Sequence, residues 1–145
     1  MADIKRTGEA VWSGDLRHGR GELSVESTAF TGEPYRFATR FENEPGTNPE
    51  ELIAAAHAGC YSMSLANALS EEGHEPARIE TRATCTLSTQ AGGFAITRMH
   101  LHVRAKVPGI DESALKEIAE QADKACPVSN LLRPGLEIEL DAGLL

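Results

Sequence analysis

The chain has 145 residues, of which 41% are hydrophobic and 25% charged, the profile of a folded globular protein and not of a disordered or fibrous one. Twenty-two acidic against 14 basic residues leave a net charge of −8, and no Lys/Arg run is dense enough to track a phosphate backbone, which excludes nucleic acid as a partner. The start, Met1 to Thr7, has no apolar stretch of the kind that follows the charges of a secretory signal, so the expected compartment is the cytoplasm.

The N-terminal third reads as strands: Glu9 to Trp12, a turn through Ser13-Gly14-Asp15 and Arg17-His18-Gly19, then Arg20 to Ser27, and a third strand from Tyr35 to Phe41. Together these predict a small antiparallel sheet. At Thr47-Asn48-Pro49-Glu50-Glu51 a helix start follows, with a capping residue, a proline for the first helical position and acidic side chains for the first turn. The helix is predicted to run to about Glu72, where Gly73 suits a left-handed C-terminal residue and Pro76 prevents continuation. Leu52 to Leu69 carries no Asp, Glu, Lys or Arg, yet six of its residues are Ala and few are large and apolar, so a helix buried in protein fits better than a membrane span.

Ile79 to Leu87 and Phe94 to Val107 predict a long hairpin around Thr89 to Gly93. In its second arm Met99, Leu101, Val103, Ala105 and Val107 alternate with Arg98, His100, His102, Arg104 and Lys106, so one face is buried and the other wet. Apolar residues from Ala114 to Ala125 recur at helical spacing behind Asp111 as cap, and a final strand spans Leu136 to Asp141. With no repeat or linker, residues 1–145 read as a single α+β domain of order β-β-β-α-β-β-α-β.

Cys60, Cys85 and Cys126 are widely spaced with no C-x-x-C pair, which argues against a secreted disulfide framework and against a zinc finger. In a reducing compartment any disulfide among them is catalytic or sensing. Taken alone, Cys60 inside the uncharged helix reads as a small buried hydrophobe, because a reactive thiol needs a group that stabilises its anion. His57, one turn earlier, is either a base or imidazolium partner or a satisfied core residue. Spacing does not place Arg40 against Cys60; Glu50 either holds such a guanidinium in a bidentate pair or contacts the helix dipole. Cys126, before Pro127 at a helix end, is exposed or close to a helix N-terminus, and either favours reactivity. Cys85 falls with Ala83 and Leu87 on the inward face of a strand and reads as packing. His100 and His102 stand two apart on a polar face, where a metal site competes with a solvated surface.

Thr39-Arg40-Phe41-Glu42, followed by Gly46-Thr47-Asn48-Pro49-Glu50-Glu51-Leu52 and by His57-Ala58-Gly59-Cys60-Tyr61-Ser62-Met63, closely resembles the OsmC family, relatives of the Ohr organic hydroperoxide resistance proteins. Trp12-Ser13-Gly14-Asp15, Gly93 to Thr97, Val107-Pro108-Gly109-Ile110-Asp111 and Ala125-Cys126-Pro127-Val128-Ser129 extend the resemblance over almost the whole chain. It implies an intertwined homodimer with two active sites at the interface and the long central helix buried within. It further implies a thiol peroxidase that reduces organic hydroperoxides and, more weakly, hydrogen peroxide. Cys60 is then the peroxidatic cysteine and Cys126 the resolving one; Arg40 and Glu50 are the pair that lowers the Cys60 pKa and orients it. The Ohr branch takes its activating Arg from an earlier hairpin, where Arg17 and Arg20 stand here; the T-R-F-E context favours Arg40. A dithiol or lipoylated protein is the implied reductant, and no metal or other cofactor is implied. The competing expectation is a non-catalytic protein of the same fold that holds a hydrophobic ligand or senses stress.

Overall fold

The structure, a computed structural model, describes residues 2–145 and divides into two compact units that meet in sequence at Pro49 and Glu50. In the N-terminal unit β1 (Gly8–Ser13), β2 (Arg20–Val25) and β3 (Glu33–Tyr35) form the expected antiparallel sheet in that order. Trp12 stands opposite Gly21, and Gly21 opposite Tyr35, so the two rings face each other across the glycine with centroids 5.5 Å apart. A Cβ at Gly21 would collide with both rings, which is why the middle position carries no side chain.

The third strand is shorter than predicted. It ends at Tyr35, and Phe37–Phe41 forms a one-turn helix, α1, so Arg40 lies on a helix and not at a strand end. Thr39 decides this: its hydroxyl accepts from the Arg36 N–H at 3.0 Å and donates to the Arg36 carbonyl at 2.9 Å, closing the turn. Phe37 and Phe41, four apart, then stack at 4.7 Å as helical neighbours.

The long helix α2 (Pro49–Glu71) begins at the predicted proline. It stops as expected, with Gly73 at φ 81°, His74 N–H bonded to the Leu69 carbonyl and Gly73 N–H to that of Ser70. Beyond it come β4 (Arg78–Gln90), β5 (Gly93–Lys106), α3 (Glu112–Ala125), α4 (Pro127–Leu132) and β6 (Glu137–Leu144). The β4 and β5 arms pair antiparallel, while β6 adds to β5 in parallel and runs three residues past the predicted end. Alternation along β5 is realised: Met99, Leu101, Val103 and Ala105 are fully buried, and Arg98 and Lys106 are exposed. Asp111 caps α3 through a bond from Ala114 N–H at 2.8 Å.

The core of the C-terminal unit brings Tyr61, Leu65 and Leu69 of α2 together with the β5 residues and with Leu115, Ile118, Ala119 and Ala122 of α3. Removing a side chain such as Leu65 from water is worth about 2 kcal/mol, so this cluster dominates the stability of the unit. The opposite side of α2 is open: Ala55, Ala56 and Gly59 are exposed, and Met63 is 76% exposed. Within one chain the central helix is therefore half buried. No helix among the described residues is long and apolar enough to cross a membrane.

Candidate active site

Cys60 and Cys126, 66 positions apart, are brought together: their sulfurs lie 3.4 Å from each other. Each reaches this point for a local reason. Cys60 projects from the middle of α2 and packs against the core. Cys126 ends α3 and begins α4, with an extended backbone and Pro127 at the first helical position. The proline has no N–H, and the next two residues supply donors, one to each sulfur. Val128 N–H donates to Cys60, and Ser129 N–H donates to Cys126 at 3.5 Å. Of the two settings open to Cys126, exposure is ruled out, for the residue is fully buried at the start of a short helix.

Burial pushes the Cys60 thiol above its ordinary value, against the lowering effect of the Val128 N–H and with a further upward push from Cys126. The expected depression of this pKa is not supplied by the sulfur pair itself. Burial also raises Cys85, and the Glu50 carboxylate adds to the rise. Glu50 stands in the first turn of α2 and is only 7% exposed. Cys85 is half buried and packs against the core, in keeping with a packing role.

Arg40 belongs to the N-terminal unit, with its guanidinium 5.1 Å from the ring of Phe41. It borders a cleft of about 330 Å³ whose walls are Trp12, Leu16, Tyr35, Phe37 and Phe41. Arg17 lies over the Phe37 ring at 4.9 Å, and Arg20 opens β2. Arg36 on the same cleft is paired with Glu44.

Sequence reasoning assigned no role to Ser129, although the residue closes the C-P-V-S segment. Its hydroxyl meets His57 Nε2 at 2.7 Å, and both residues are fully buried. Burial lowers the His57 pKa; Asp123 opposes this and Arg133 reinforces it, so the ring is neutral near pH 7. His57 precedes Cys60 by three residues and Ser129 follows Cys126 by three, but no local pattern in the sequence joins the two. His100 and His102 occupy the wet face of β5, where His102 Nε2 is 3.8 Å from Asp141. No group of three metal-ligating side chains is found among the described residues.

Residues 41–141 match the OsmC-like protein family. The chain is 48% identical over 138 residues to peroxiredoxin OsmC of Escherichia coli K12, covering 95% of each chain. It is 31% identical over 96 residues to an organic hydroperoxide resistance protein of Xanthomonas axonopodis pv. citri, covering 66% of each. Among solved structures, an organic hydroperoxide resistance protein from Elizabethkingia anophelis superposes with a TM-score of 0.77 and covers 100% of both chains. At 22% identity that last likeness speaks for the fold alone.

Proposed function

The chain belongs to the OsmC-like protein family, and on that premise we propose that it is a thiol peroxidase that reduces organic hydroperoxides through Cys60 and Cys126. The observation that carries the reading is the 3.4 Å approach of the two sulfurs, which leaves a resolving thiol in reach of any oxidised Cys60. The names of relatives, peroxiredoxin OsmC and organic hydroperoxide resistance protein, agree with it.

In the first step the Cys60 thiolate attacks the distal oxygen of ROOH, the O–O bond breaks, and ROH leaves with one proton, so Cys60 becomes a sulfenic acid. Cys126 then displaces the sulfenic oxygen as water and forms the S–S bond. A dithiol, of the small-molecule or lipoyl-protein kind, takes up the disulfide by exchange and restores both thiols. The chemistry runs on sulfur alone and requires no metal or prosthetic group. Because burial raises the Cys60 thiol, a cation is needed to populate its thiolate, and we assign this to Arg40, with Glu50 as the carboxylate that orients it.

We read residues 1–145 as one inherited domain and the working unit as a homodimer. The exposed apolar residues Val11 and Met63, together with Ala55, Ala56 and Gly59, support a second copy covering these surfaces. Three free thiols fit a reducing cytoplasm.

The test is mass mapping after one equivalent of cumene hydroperoxide. A Cys60–Cys126 disulfide is expected, and Cys60→Ser should have no turnover with a dithiol. Unreacted thiols, or full turnover by Cys60→Ser, would overturn the peroxidase and favour a ligand-binding protein.

A further inference from the structure

We propose that His57 and Ser129 form a positioning pair that holds Cys126 against Cys60 and thereby sets the rate of disulfide closure. The inference rests on the peroxidase reading and adds to it a role for two residues outside the reacting thiols.

The geometry has two parallel links. The first is the sulfur pair at 3.4 Å; the second is the His57 Nε2–Ser129 Oγ hydrogen bond at 2.7 Å. His57 lies one turn before Cys60 on α2, and Ser129 one turn after Cys126 on α4, so the second link spans the same two elements as the first. Ser129 also works in both: its hydroxyl meets His57 while its N–H donates to the Cys126 sulfur at 3.5 Å. Any displacement of Ser129 from His57 therefore shifts the donor that fixes the resolving sulfur.

Both side chains are fully buried, and a buried polar pair is costly unless it is bonded. The site tolerates more than that cost. His57 Nδ1 is buried and has no hydrogen-bond partner among the described residues, whereas apolar side chains at both 57 and 129 would leave neither group unsatisfied. A histidine kept under those terms points to the use of its other nitrogen. That nitrogen faces a hydroxyl and not a sulfur, so the ring acts through Ser129 and is not the base that takes a thiol proton. The ionisable groups that bear on it are Asp123 of α3 and Arg133 after α4; Tyr61 and Cys60 are its neighbours on α2.

In the step concerned, Cys126–SH and Cys60–SOH give the disulfide and water: the sulfenic sulfur is reduced, the thiol sulfur oxidised, and the thiol proton leaves in the water. Bond formation requires the sulfurs to close from 3.4 Å, and loss of the second link lets α4 drift away from α2.

The experiment uses full-length reduced protein, one equivalent of cumene hydroperoxide, and rapid quenching with a sulfenic-acid trap and a thiol alkylator, read by intact mass. In Ser129→Ala and His57→Leu the ratio of closure rate to sulfenic-acid formation rate is expected to fall about tenfold, the factor that corresponds to one net hydrogen bond. Sulfinic acid on Cys60 should rise in step. His57→Gln, which retains a polar atom near the Nε2 position, should recover most of the ratio, and the double variant should be no slower than either single. Unchanged closure in Ser129→Ala, equal losses in His57→Gln and His57→Leu, or additive losses in the double variant would overturn the proposal. Should His57→Leu fail a thermal-melt check for folding, Ser129→Ala against His57→Gln decides. Absence of any Cys60 oxidation in the wild type would instead overturn the peroxidase itself.

Discussion

The Tyr61 hydroxyl donates to the backbone carbonyl of Ala119 at 2.9 Å, and both residues are fully buried. Tyr61 directly follows Cys60, so this bond ties the helix that carries one sulfur to the helix that ends in the other. Three residues later Ser64 repeats the contact with the Ala122 carbonyl at 2.7 Å. A helix carbonyl such as that of Ala119 retains a second lone pair after its i+4 bond, whereas the Ala122 carbonyl lies in the last turn, where the Cys126 N–H turns to Asp123 and Ser64 supplies the donor. Burial pushes the Tyr61 phenol upward, which keeps it a donor across the working pH range.

Tyr61→Phe is expected to cost about 1 kcal/mol of unfolding free energy, the net worth of one neutral hydrogen bond, with no cavity formed. Urea denaturation of the reduced protein measures it. An unchanged midpoint would mean that the α2–α3 contact rests on packing alone.

Stability should peak between the ordinary titrations of histidine and cysteine. His57 is held below its usual 6.5 by burial, so as pH falls past that value the unfolded chain binds the proton first and stability is lost. Cys85 is pushed above its usual 9.0, chiefly by burial, so as pH rises past that value the unfolded thiol ionises first and stability is lost again. Melting curves from about pH 5 to about pH 10, a range that brackets both reference values, check both limbs. His57→Gln should flatten the acid limb, and Cys85→Ala part of the alkaline one.

The elements legible in the sequence were those whose local chemistry and periodicity agree. Pro49 and Gly73 bracket α2, Asp111 caps α3, and the alternation of Met99 to Ala105 marks β5. Where two periods fit one segment, the sequence was ambiguous. Tyr35, Phe37, Thr39 and Phe41 alternate like a strand, yet Phe37 and Phe41 are also helical neighbours, and only the Thr39 hydrogen bonds to Arg36 select the helix. The parallel direction of β6 has no signature in its own residues, because alternation carries no orientation. At the site, Cys60 and Cys126 were paired through family resemblance, since no local rule joins positions 66 apart. His57 was visible as a candidate but its partner was not: Ser129 becomes informative only once α4 is folded back against α2.

The outer face of α2 gives a test of assembly. Met63 is 76% exposed beside Ala55, Ala56 and Gly59, an apolar strip with no charge on a chain of net charge −8. Met63→Glu should leave the fold intact, since that side chain touches little of its own chain, but bury a carboxylate in each copy of a dimer. Sedimentation equilibrium is expected to show dimer for the wild type and predominantly monomer for the variant. A wild type that sediments as monomer would remove the homodimer from the proposed function.

Cys126→Ser separates the two halves of the chemistry. Its hydroxyl is shorter and less polarisable than a thiol and forms no disulfide, while the Ser129 N–H still has an oxygen to bond. With no external thiol present, Cys60 should therefore be oxidised once by hydroperoxide and then persist as sulfenic acid. Excess peroxide should carry it on to sulfinic acid, which the wild type avoids because the resolving sulfur is already 3.4 Å away. Intact mass after one and after ten equivalents of peroxide (about a tenfold range, ample to separate the steps) should show one added oxygen and then two. A variant that forms an intramolecular disulfide without added thiol would assign resolution to Cys85, which is then the residue to replace next.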